Sequence, residues 1–153
     1  MMEDLKKNKE IYNTITGQCA AGNVLRAARS LTRLYDEALR PVGLTITQFG
    51  LMNAIGRFEP ASISDLAVIM SNDRTTLSRN LKPLEKAGLV FRGGEGEGRR
   101  RRLLLTTLGQ ERLNAALPLW QAAQERVAAV LDEEARRHLF SGLRLLASDR
   151  LGS

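Results

Sequence analysis

LAVIMSNDRTTLSRNLKPLEKAGLVFRGGEGEGRRRRLLLTT, running from Leu66 to Thr107, is the stretch whose reading decides the fold. Ile63, Leu66, Ala67 and Met70 fall at helical steps, with Ser62 or Ser64 available as the cap. Ser71-Asn72-Asp73 reads as a turn and a helix cap in one. Leu77, Leu81 and Leu84 then recur at steps of four and three, and Gly88 stops that second helix. Pro83 removes an amide donor and crowds the carbonyl of Arg79, so the helix either bends or ends early. The apolar pattern continues at Leu84 and Ala87, which predicts a bend. Two strands follow, Leu89–Arg92 and Arg101–Leu105, with Gly93, Gly94, Gly96 and Gly98 between them. A helix-turn-helix backed by a hairpin is a winged helix.

The second helix, Asp73 to Ala87, carries Arg74, Thr75, Thr76, Ser78, Arg79 and Lys82 off its leucine stripe. Short hydroxyl side chains can bond base edges or phosphates, and arginine can fork onto guanine or a phosphate. The free amides of the helix N-terminus add a phosphate site. A solvated polar face would look similar in isolation; the turn before it and the hairpin after it favour a helix that enters a DNA groove. At the hairpin tip stand Arg99, Arg100, Arg101 and Arg102. Alternate strand residues point to opposite faces, so the four cannot serve one phosphate. Glu97, two residues before Arg99, can hold that guanidinium in a fixed pose.

Outside this stretch the chain reads as helical. Met1 to Thr16 is polar and charged and is expected to be an arm, frayed or helical only against a partner. Gln18 to Leu39 is an amphipathic helix through Val24, Leu25, Ala28, Leu31, Tyr35 and Leu39, stopped by Pro41 and Gly43. Thr47 is the expected cap of the next helix, which Gly56 and Pro60 close. A long helix is expected over roughly Thr107 to Leu131. Asp132-Glu133-Glu134 opens a last one, striped by Leu139, Leu143 and Leu146. The expected order is four helices, a hairpin and two long helices. The fold class is mainly α: a winged helix-turn-helix with long N- and C-terminal dimerisation helices. Three regions follow: residues 1–42 as arm and dimerisation helix, 43–107 as DNA-binding lobe, and 108–153 as C-terminal dimerisation helices.

Composition narrows the function. The chain has 153 residues and a net charge of +6, which suits a polyanionic partner. One cysteine excludes an internal disulfide and a paired-cysteine metal site, and no metal or cofactor is expected. The absence of a long apolar run or an apolar leader points to a cytoplasmic protein without membrane contact. One histidine and one cysteine, without clustered carboxylates, leave no nucleophile and base to nominate, so no enzyme is expected. Cys19 reads first as a small helical packing residue, with thiol-based redox sensing as the alternative. His138 reads as a surface or interface residue, and Trp120 and Phe140 as core or interface.

From about Cys19 to Leu146 the chain resembles the MarR family of bacterial transcription regulators. LTITQFGLM (44–52), SISDLAVIMSNDRTTLSRNLKPLEKAGLV (62–90) and GEGEGRRRRLLLTTLG (94–109) carry the likeness, the last resembling a wing followed by Leu-Thr-x-x-Gly. The family's wing pair, Asp-x-Arg, falls here on Glu97 and Arg99, a departure that keeps the charge. The resemblance implies a homodimer on double-stranded DNA with a pseudo-palindromic site, and Arg99 reaching the minor groove. It further implies a repressor whose operator affinity a small lipophilic or phenolic effector lowers. The effector pocket would be walled by Leu31, Tyr35, Phe49 and Leu113. Some relatives sense peroxide through an N-terminal cysteine, but Cys19 is followed by Ala20-Ala21 and lacks the usual apolar-aromatic flank. A protein-binding module on the same fold is the competing reading, which loss of the basic wing tip would signal.

Overall fold

A computed structural model describes residues 2–93 and 102–148. The order is α1 (Met2–Gln18), α2 (Ala20–Leu39), a 3-10 turn (Arg40–Val42), α3 (Ile46–Phe58), α4 (Ile63–Ile69), α5 (Arg74–Lys86), β1 (Val90–Gly93), β2 (Arg102–Leu105), α6 (Thr107–Ala128) and α7 (Glu133–Leu146). The mainly helical winged-helix class holds, but five helices precede the hairpin rather than four. The expected arm is helical as far as Gln18. Its backbone hydrogen bonding continues across the joint, Cys19 N to Ile15 O and Asn23 N to Cys19 O. Ile11, Tyr12 and Ile15 give α1 an apolar stripe that its polar composition obscures.

Local chemistry sets most helix ends. Ser62, Asp73, Thr106 and Asp132 each accept the amide three residues on, so α4 to α7 start where a side-chain oxygen meets a free N–H. The cap of α3 is Thr45 rather than Thr47. Thr45 Oγ accepts from Gln48 N while Gln48 Oε1 accepts from Thr45 N, a reciprocal box that Thr47 cannot form. Asp36 on α2 takes the neighbouring donor, Ile46 N, at 2.7 Å. Gly56 does not close α3 but lies inside it, where a Cβ would stand 2.9 Å from Leu105 Cδ1. Helix α5 runs on through Pro83 to Lys86, which rules out the shorter alternative. It then stops at Gly88, whose φ of 67° is open to glycine at little cost.

The core is one leucine-rich cluster under the winged helix. Leu39, Leu51, Met52, Ile55, Leu66, Leu77, Leu81, Leu84, Val90 and Leu103 are almost fully buried in it. The leucine stripe of α5 is therefore fixed inward, which turns its other flank to solvent. Strands β1 and β2 pair antiparallel, Val90 opposite Leu105 and Gly93 opposite Arg102. Leu103 N donates to Pro60 O, stitching the hairpin to the segment after α3. Among the described residues no helix is long and apolar enough to cross a membrane.

Candidate nucleic-acid interface

The turn between α4 and α5 is made by three polar residues. Asn72 N donates to Ala67 O and Ser71 N to Val68 O, with Ser71 at a φ of 47°. Asp73 then caps α5, accepting from Thr76 N at 2.8 Å. The Thr76 hydroxyl, then the Thr76 amide, hold the Asp73 carboxyl below its ordinary value. The caps and turn bonds together fix where α5 begins relative to α4.

The exposed flank of α5 forms one wall of an open groove of about 520 Å³. Arg74, Thr75, Ser78, Arg79 and Lys82 line it together with Ile63 at the start of α4. Of the six residues read from sequence on this helix, five converge there. Thr76 lies off the groove and serves the cap. Among the described residues no carboxylate lies within ion-pair distance of Arg74, Arg79 or Lys82. The groove thus presents three cations, unpaired among the described residues, with two hydroxyl side chains, suited to phosphates and base edges.

The base of the wing is built by the Leu105-Thr106-x-x-Gly109 motif. Thr106 Oγ donates to Gly88 O at 2.6 Å and accepts from Gly109 N at 2.9 Å. Thr106 N donates to Leu89 O. One residue therefore caps α6 and ties it to the exit of α5. Two ion pairs flank the strands: Arg92 with Glu85 at 2.7 Å, and Arg102 with Glu59 at 3.6 Å. Periodicity and motif could not have found either pair, because neither partner belongs to a local pattern. Glu97, Arg99, Arg100 and Arg101 lie outside the described residues.

The residues read as an effector pocket sit at the junction of α2, α3 and α6. Tyr35 is buried, which raises the pKa of its phenol. Phe49 stacks on Trp120 with ring centroids 6.1 Å apart, and Leu113 packs on the core. Leu31 is exposed. Two hydrogen bonds hold this junction: Asp36 to Ile46 N, and Arg112 Nη1 to Val42 O at 2.7 Å. Cys19 is not packed within the single chain. It is the exposed N-cap of α2, its Sγ accepting from Gly22 N at 3.3 Å.

Known proteins are similar to this chain in sequence and fold. A family model described as MarR family matches residues 42–101. An HTH-type transcriptional regulator of Bacillus cereus is 29% identical over 118 residues, covering 76% of this chain and 79% of that protein. The Mycobacterium tuberculosis transcriptional regulator MosR, solved in complex with DNA, is 36% identical with a TM-score of 0.74, over 87% of this chain and 99% of that one. A MarR family protein of M. tuberculosis, solved in complex with salicylic acid, is 26% identical with a TM-score of 0.63, over 83% and 95%.

Proposed function

Because this chain belongs to the MarR family of DNA-binding transcription regulators, we propose that it acts as a homodimeric cytoplasmic repressor, released from its operator by a small lipophilic or phenolic effector. The groove along α5 carries the DNA part of that reading. Arg74, Thr75, Ser78, Arg79 and Lys82 enter the major groove, and the wing follows the flanking backbone. The sequence adds Glu97, Arg99, Arg100 and Arg101 to this reading as candidate contacts of the wing, with Arg99 the one proposed for the minor groove.

Dimerisation is supported by apolar side chains that the single chain leaves uncovered. Helix α7 buries none of its residues, yet Leu139, Phe140, Leu143 and Leu146 recur along it at helical spacing. Leu25 on α2 and Ile15 on α1 are exposed as well. An apolar surface of this extent on dedicated helices calls for a partner, and an identical chain supplies one. Two-fold symmetry then presents two copies of the groove about one DNA turn apart, ~34–36 Å, to a pseudo-palindromic site.

The effector part rests on the α2–α3–α6 junction, whose helices carry Tyr35, Phe49 and Leu113 and are joined through the bonds of Asp36 to Ile46 and of Arg112 to Val42. A ligand there sits between the dimer arm and the DNA-binding lobe, and the salicylic acid complex of a relative supports an aromatic acid as the first probe. Selection of bound duplexes from random DNA, with and without salicylate, tests the whole reading. The expected outcome is a two-fold symmetric consensus whose retention falls with salicylate. Recovery of no preferred sequence would overturn the operator, and recovery unchanged by salicylate would overturn that effector.

A further inference from the structure

We propose that Arg92 is a DNA-backbone contact and that Glu85 is the residue that positions it; the inference rests on the DNA-binding reading above. Glu85 lies on α5 seven residues after Ser78 and three after Lys82, so it shares the flank that faces the groove. Arg92 lies on β1 two residues after the buried Val90, and so on the same side of the ribbon, where the strand leaves the core. The two meet through one bond, Arg92 Nε to Glu85 Oε1 at 2.7 Å.

The choice of nitrogen matters. A guanidinium has five N–H donors in a rigid plane, and Nε supplies only one. A carboxylate bound at Nε restrains the guanidinium and leaves the N–H groups on both Nη atoms able to donate elsewhere. Such N–H groups can fork onto a phosphate. Among the described residues no other hydrogen-bond partner takes the Arg92 side chain, which stays 44% exposed. Arg102, on the paired strand, makes a useful contrast. Its contact to Glu59 is 3.6 Å long, it forms no hydrogen bond, and both side chains are more than half exposed. Arg92 is held, whereas Arg102 is only near an opposite charge.

The position also fits the duplex. Arg92 lies on β1 beside the exit of α5, next to the flank that carries the groove, so it can add a backbone contact to the major-groove contacts. A phosphate clasped there registers the recognition helix against the wing without reading any base.

The test measures affinity for a mixed-sequence duplex against salt concentration, with thermal melting as a control on folding. Arg92→Gln is expected to weaken binding about tenfold at physiological salt and to lower the salt slope by about one. Arg92→Lys should restore the slope but not the full affinity, because an ammonium carries the charge without the fork. Glu85→Ala should weaken binding with the slope kept, and should cost nothing further in the Arg92→Gln background. An unchanged slope in Arg92→Gln would overturn the phosphate contact. An equal loss from Glu85→Ala in both backgrounds, or tighter binding by Glu85→Ala, would overturn the positioning role. Failure of the unaltered protein to bind duplex at all would instead defeat the DNA-binding reading itself.

Discussion

Gly109, in the first turn of α6, lies against the backbone of Leu89: a Cβ at Gly109 would stand 2.0 Å from the Leu89 carbonyl oxygen. That oxygen is already engaged, accepting from Thr106 N at 3.0 Å. The exit of the recognition helix and the start of α6 are therefore in backbone contact, and no side chain fits between them. Gly109→Ala must push them apart. The expected cost is about 1–3 kcal/mol, read as a lower denaturant midpoint, with weaker DNA binding because the wing hangs from the same joint. A midpoint equal to that of the unaltered protein would show that the joint yields freely.

Asp73 gives α5 a pH-dependent start. Its carboxyl is held below the ordinary 3.8 by the Thr76 hydroxyl and amide, so the folded state binds its proton less readily than the unfolded chain does. The stabilisation is fully present above the unfolded value and is lost as pH falls through the lower, folded value. Asp73→Asn keeps a capping oxygen but removes this titration. Acid melting curves of the two proteins are expected to converge below the carboxylate range and to differ above it.

Lys82 is the last residue along α5 to line the groove and carries a point charge without a fork. Lys82→Ala is expected to weaken binding by a similar factor on every duplex sequence and to reduce the salt slope by about one. A loss confined to one sequence would mean that Lys82 reads a base edge. Thr75→Ala should do the opposite, shifting sequence preference at nearly constant slope, since a hydroxyl releases no counterion.

Leu143 on α7 is 37% exposed between Leu139 and Leu146. Leu143→Glu places a charge in the proposed dimer seam while leaving the winged-helix core untouched. Sedimentation should report a species of half the mass at micromolar concentration, with helicity largely kept. Operator affinity should drop with it, because paired half-sites lose their common frame. A dimer that persists would move the seam away from α7.

Much of this architecture is written in short windows of sequence. The steps from Leu77 to Leu84 dictate which flank of α5 is buried, and therefore that Arg74, Thr75, Ser78, Arg79 and Lys82 line its open side. Thr76 departs from that set: it follows Asp73 at capping distance, and its amide donates to the Asp73 carboxylate. The misreading of Thr47 has a similar cause. Both threonines precede an apolar run, and only the reciprocal bonds between Thr45 and Gln48 separate them. The N-terminal segment was harder to read because its apolar stripe of Ile11, Tyr12 and Ile15 is narrow within a charged stretch.

Local pattern was enough for the elements from α2 to α7, for the caps at Asp73 and Asp132 and for the cationic flank of the recognition helix, because each depends on residues a few positions apart. Tertiary structure alone decided which distant groups meet. Asp36 reaches Ile46, Arg112 reaches Val42 across 70 residues, Phe49 finds Trp120, Arg92 bonds Glu85, and Gly109 lets α6 touch Leu89. Such pairs leave no periodic trace in the chain. They exist only once burial of the leucine core has fixed the helices side by side, so that two groups with no local reason to meet become hydrogen-bond partners.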